Sequence, residues 1–122
     1  MVQLLVEQIA KADAIVISTP EYNKGISRVL KNALDWVSRS DLKPWVGKPV
    51  AIMSSTAGRG GGERAQANLR LAMQPFRTRL LQGPEILVAA NYQQFDENGR
   101  LKEDSYVNAL TELMETLRAE IA

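Results

Sequence analysis

The stretch from Ala14 to Arg39, AIVISTPEYNKGISRVLKNALDWVSR, constrains the fold more than any other part of the chain. It opens on a continuous apolar run, Ala14 to Ile17, the pattern of a strand buried on both faces of a parallel sheet. The run stops at Thr19 and Pro20, and a short polar loop, Glu21 to Gly25, follows. Apolar residues then recur at Ile26, Val29, Leu30, Ala33, Leu34 and Val37, with Arg28, Lys31, Asn32, Asp35 and Arg39 between them. That spacing predicts an amphipathic helix. Open α/β sheets place ligands beside the carboxyl ends of their strands, where such loops lie. The loop is therefore expected on the functional edge.

The rest of the chain repeats the unit. Val2 to Lys11 reads as a helix leading into the first strand. A turn-rich link, Ser40 to Lys48, precedes a second buried strand, Pro49 to Ser54. A glycine-rich loop, Ser55 to Gly62, opens a helix from Glu63, which Pro75 should end or kink. Glu85 to Ala90 reads as a third strand, and the last helix starts near Asp104, read as its N-cap. Strands alternating with helices imply a parallel sheet with right-handed crossovers in one domain, residues 1–122.

Composition narrows the chemistry by what it lacks. The chain has no Cys and no His, so thiolate nucleophiles, serine–histidine hydrolysis and most zinc sites are excluded. No metal site and no catalytic acid or base is expected. An enzyme of this composition would rely on a cofactor for its chemistry. The net charge of +1 argues for neither nucleic acid nor membrane. No apolar run approaches the roughly 20 residues that span a bilayer, so the cytoplasm is the expected location.

Two motifs carry a resemblance. PEYN, Pro20 to Asn23, and LKNALDW, Leu30 to Trp36, closely resemble the signature of the NADPH-dependent FMN reductases. These form a flavodoxin-like group that includes chromate, azo and quinone reductases. Between the motifs the chain departs from that pattern, with Gly25, Ser27 and Arg28 in place of the usual Ser, Pro and Gly. The resemblance covers essentially the whole chain but only about the last two thirds of the family pattern. It implies a flavodoxin-like, three-layer parallel α/β sheet, truncated at its N-terminus, without the Gly-Ser-x-Arg-type loop that holds the flavin phosphate.

The glycine cluster Gly58 to Gly62 follows a strand and opens a helix, as nucleotide loops do, yet Glu63 stands where a dinucleotide fingerprint needs its third Gly. Read from residues alone, the cluster is as often a mobile connection as a binding loop, and Glu21 to Asn23 is more often a solvated turn than a binding loop. The resemblance assigns both to the flavin: Pro20, Glu21, Tyr22, Asn23, Ser55, Gly58 and Gly61 would bind FMN. Tyr22 would lie near the isoalloxazine, and Arg59 and Arg64 are candidates for the 2′-phosphate of NADPH. Trp36 and Trp45 read as core or interface anchors.

The expected function is that of an FMN-dependent NAD(P)H oxidoreductase domain delivering electrons to a quinone, dye or metal oxyanion. The alternative is a non-catalytic flavodoxin-like remnant serving as an assembly or interaction module. A homodimer or homotetramer is expected, since the Ala14–Ile17 strand would form an unblunted sheet edge.

Overall fold

A computed structural model describes residues 1–121. The order is α1 (Val2–Lys11), β1 (Ile15–Thr19), α2 (Arg28–Ser38), β2 (Pro49–Ser55), α3 (Glu63–Met73), β3 (Arg79–Leu80), β4 (Leu87–Val88) and α4 (Asp104–Ile121). All strand pairings are parallel: β1 lies along one side of β2, and β3 and β4 lie along the other.

The sheet is organised around β2, because PVAIMS is the run that both layers of helices cover. Val50, Ala51 and Ile52 are buried, Val50 and Ile52 in one core and Ala51 in the other. The first core gathers Val6 and Ile9 of α1, Leu34 and Val37 of α2, Trp45, and Leu69 and Met73 of α3. The second gathers Leu81, Ile86, Val88 and, from α4, Leu113 and Leu117. The three-layer α/β architecture expected from the strand–helix alternation is thus present.

Three expectations need correction. The β1 strand is not buried on both faces: Ile15 and Ile17 pack against the first core, but Val16 is 45% exposed. The α4 helix sits over β2, so the other face of β1 lies open among the described residues. Second, the strand expected over Glu85–Ala90 shrinks to Leu87–Val88, and Arg79–Leu80 adds a strand that the sequence did not announce. Pro84 has no N–H to give the ladder, and pairing with β2 resumes through Ser54 N to Ile86 O and Thr56 N to Val88 O. Third, Asp104 is the first residue of α4 rather than its cap. Pro75 behaves as expected, since α3 stops at Met73 and passes into a 3-10 turn, Gln74–Phe76.

Candidate functional site

Three loops meet at the carboxyl edge of β1, β2 and β4. The first, residues 20–27, is a tight turn. Tyr22 and Gly25 exchange backbone hydrogen bonds of 2.8 and 3.0 Å. Asn23 and Lys24 at its tip both have positive φ, 52° and 67°, as a primed turn requires. Ser27 then caps α2, its side chain accepting from Leu30 N at 3.1 Å. The departure from the family pattern at Ser27 therefore supplies a helix start.

The second loop, residues 56–62, is held from below. Ser54 is buried; its hydroxyl donates to Gly61 O and accepts from Gln66 Nε2 at 2.8 Å. The same Gln66 amide donates to Ile86 O at 2.8 Å. A β-carbon on Gly61 would lie 2.6 Å from Leu87 O, and one on Gly62 would run into Ser54 Oγ, both at positive φ. These two glycines are demanded by the close approach of backbone to sheet. Gly58 and Gly60 differ, because a β-carbon at either meets nothing within 4 Å. Their surface is open to a ligand.

The third loop follows β4. Asn91 N donates to Thr56 O at 2.9 Å, Asn91 Nδ2 donates to Ser55 Oγ at 3.2 Å, and Ala90 N donates to Gly58 O at 3.0 Å.

Two side chains lock the first loop to α3. Glu21 Oε1 accepts from Ala65 N at 2.8 Å. Asn68 Oδ1 accepts from Ile26 N at 3.0 Å. The α3 N-cap is Gly62, which has no side chain to offer. Glu21, 44 residues earlier in the sequence, therefore supplies the missing cap with a negative charge at the positive helix end.

Pro20, Glu21, Tyr22, Asn23, Ser55, Gly58 and Gly61 are thus brought to one edge of the sheet, but they are not equivalent. Tyr22 is 60% exposed, and Pro20, Asn23 and Gly58 also reach solvent. The Glu21 carboxylate is engaged by α3, the Ser55 hydroxyl by Asn91, and Gly61 by the sheet. Arg59 and Arg64 are both exposed. Sequence reasoning missed Ser54, Gln66, Asn68 and Asn91. Their only signal was polarity at or beside positions that the strand and helix periods assign to the interior.

Part of the N–H set at each helix N-terminus is taken up within the chain. In α2, Leu30 N goes to Ser27 Oγ. In α3, Glu63 N goes to Gly60 O and Ala65 N to Glu21. The bonds from Lys31 N to Ser27 O and from Gln66 N to Gly62 O are the ordinary first bonds of the two helices.

Comparison with known proteins places this arrangement. The chain is 40% identical over 112 residues to an NAD(P)H-dependent FMN reductase of Pseudomonas aeruginosa, covering 92% of this chain and 60% of that protein. It is 38% identical over 111 residues to a quinone reductase of Escherichia coli, covering 90% of this chain and 59% of the relative. Among solved structures, the flavoenzyme NAD(P)H:(acceptor) oxidoreductase FerB of Paracoccus denitrificans superposes with a TM-score of 0.81 at 27% identity. That superposition covers 98% of this chain and 65% of FerB. The chain therefore spans about 60% of the length of the two curated relatives. The sequence profile of the family described as NADPH-dependent FMN reductase matches residues 1–93. On that match and on the fold, the chain belongs to the NADPH-dependent FMN reductase family.

Proposed function

We propose that the edge formed by the three loops binds the isoalloxazine ring of FMN. The chain then serves in an NAD(P)H-dependent reductase that delivers electrons to a small acceptor such as a quinone, a dye or a metal oxyanion. One observation carries the reading: an exposed aromatic, Tyr22, and a glycine surface open at Gly58 and Gly60 share one strand edge. Glu21 and Asn68 hold that edge rigid. FMN, when bound, supplies the hydride acceptor and the electron donor of such a reaction.

The chain's own residues bind and orient. Tyr22 offers a ring face. The turn tip at Asn23 and Lys24 presents backbone to the polar edge of the flavin, and Gly58 and Gly60 allow close approach. With no His or Cys in the chain, the protein contributes position and exclusion of water, and hydride transfer asks for little more. The nicotinamide cofactor would approach the open face of the ring, with Arg59 and Arg64 as cations in reach of its phosphate.

Titration with FMN, followed by flavin fluorescence, tests the site, and NADPH oxidation in the presence of a quinone tests the activity. Tyr22→Ala should weaken flavin binding at least about tenfold, the loss of one stacking contact plus its buried area. Unchanged affinity in that variant would refute the site. A second reading, an assembly module without redox activity, is favoured by the internal partners of Leu30 N, Glu63 N and Ala65 N at the two helix starts. Its signature is a colourless protein that FMN does not turn yellow.

A further inference from the structure

The loop after β4 shares the edge with the other two, yet the flavin reading gives it no task. It carries Tyr92, 72% exposed and part of neither core. The backbone beneath that ring is tied down on both sides. Ala90 N donates to Gly58 O, and Asn91 donates to Thr56 O and Ser55 Oγ. From the other side, Tyr106 Oη accepts from Ala89 N at 3.3 Å, and Gln94 Nε2 donates to Ala89 O at 3.2 Å. These bonds hold Ala90 at φ 45° and ψ 49°, left-handed backbone that a β-carbon disfavours. Such a conformation persists only where neighbours over-determine it, and it clusters at ligand clamps. β4 lies on the far side of β2 from β1, two strand spacings or about 10 Å away. Tyr22 and Tyr92 therefore stand at opposite ends of one edge, with the glycine loop between them.

Charge distinguishes the two ends. Lys24, Arg59 and Arg64 lie on the first loop, the second loop and the start of α3. From Leu80 to Gly99 there is no Lys or Arg, while Glu85, Asp96 and Glu97 supply carboxylates. The Asp96 carboxylate accepts from Asn98 N at 2.8 Å and Arg100 N at 2.9 Å within its own turn. The side chains flanking Tyr92 are amides, and that of Gln93 is exposed.

We propose that Tyr92 is a specificity-determining residue for the electron acceptor. Its ring stacks on a planar, uncharged molecule of the quinone class, and the Gln93 amide donates to a quinone carbonyl oxygen. An anionic acceptor, a metal oxyanion or a sulfonated dye, would leave water for a loop that offers carboxylates and no cation, so it is selected against. The proposal rests on the flavin reading and narrows its acceptor. The reaction selected is NADPH + quinone + H+ → NADP+ + hydroquinone: the hydride carries two electrons and one proton, and solvent supplies the second proton.

Steady-state rates of the FMN-loaded protein with naphthoquinone, naphthoquinone sulfonate and chromate, run beside an FMN titration, test the assignment. The parent should use the neutral quinone with a kcat/KM at least about tenfold above that for the sulfonate. Tyr92→Ala should raise the KM for naphthoquinone about tenfold, more than it lowers kcat, through loss of one aromatic contact. Tyr92→Phe keeps the ring face and should restore the parent value. Gln93→Lys puts a cation beside Tyr92 and should raise kcat/KM for the sulfonate and chromate several-fold at low salt, a gain that high salt removes. A protein that takes up no FMN refutes the flavin reading and this proposal with it. If FMN binds and NADPH reduces it, but Tyr92→Ala leaves the KM for naphthoquinone within about twofold, the proposal alone is overturned. Loss of FMN affinity in Tyr92→Ala also overturns it, since the ring would then belong to the flavin. Equal kcat/KM for naphthoquinone and its sulfonate overturns the selection by charge.

Discussion

Glu21 opens the loop that the family shares, and the structure gives its carboxylate a neighbour within the chain. Its Oε1 stands 2.8 Å from Ala65 N, at the start of a helix whose cap residue is glycine. Replacing it tests whether the residue holds α3 or touches a ligand. Glu21→Ala removes a cap contact worth about 1 kcal/mol. It also removes a favourable charge–dipole term of about 0.3–1 kcal/mol, the partly buried site favouring the upper end. We expect a loss of about 1.5–2 kcal/mol. Unfolding entropy near 2.1 cal/mol/K per residue over a chain of this length turns that into a fall in Tm of about 6–8 °C. Glu21→Gln keeps an acceptor and loses the charge, so it should recover roughly half. Urea titration and thermal melts by circular dichroism, without flavin, measure both variants. Salt gives a second reading: the difference between Glu and Gln should narrow at 1 M salt, because the dipole term is screened. The reasoning is refuted if Glu21→Ala melts within about 1 °C of the parent while its flavin affinity collapses. That result would assign the carboxylate to the ligand rather than to α3.

Three further outcomes follow from the same edge. Gly61→Ala should destabilise by at least about 2 kcal/mol, from left-handed backbone plus a clash with Leu87 O. Gly58→Ala should be nearly neutral, because a β-carbon there meets open space; equal urea midpoints for the two would show that the loop is not held as described. Ser54→Ala should cost about 1–3 kcal/mol, since Gln66 loses a buried acceptor and Gly61 O its donor, and unchanged stability would refute that network. FMN and riboflavin should bind within about threefold of each other, because Leu30 N, Glu63 N and Ala65 N at this edge already have partners within the chain. A single charge-assisted bond to phosphate would separate them by roughly tenfold or more, and a preference of that size would reveal a phosphate site.

Much of the architecture was legible in residues alone, because local periods report local geometry. The run PVAIMS, Pro49 to Ser54, reads as a buried strand, and it forms β2 with Ser55 added at its end. The last helix, read as starting near Asp104, is α4, and Pro75 marked the end of α3 to within two residues. The PEYN and LKNALDW motifs carried the resemblance to the family, and the strand–loop–helix order put the expected ligand at the strand edge. Hydrophobic pattern says which side of an element prefers to leave water. It does not say whether a neighbour is there to receive it. AIVI and PVAI read alike, yet β2 is covered on both faces and β1 shows Val16 to solvent, since only the layer above or below decides. Val29 follows the same rule: the helical period groups it with Leu30 and Leu34, yet it is 80% exposed. Nor does spacing reveal partners distant in sequence. That Glu21 caps a helix 44 residues away, and that Gly61 is required by Leu87 while Gly58 is free, became visible only when the strands aligned and brought the three loops together. Conformation along the chain was written locally. Burial, and the division of the loop residues into those that hold the edge and those that face outward, came from tertiary contact.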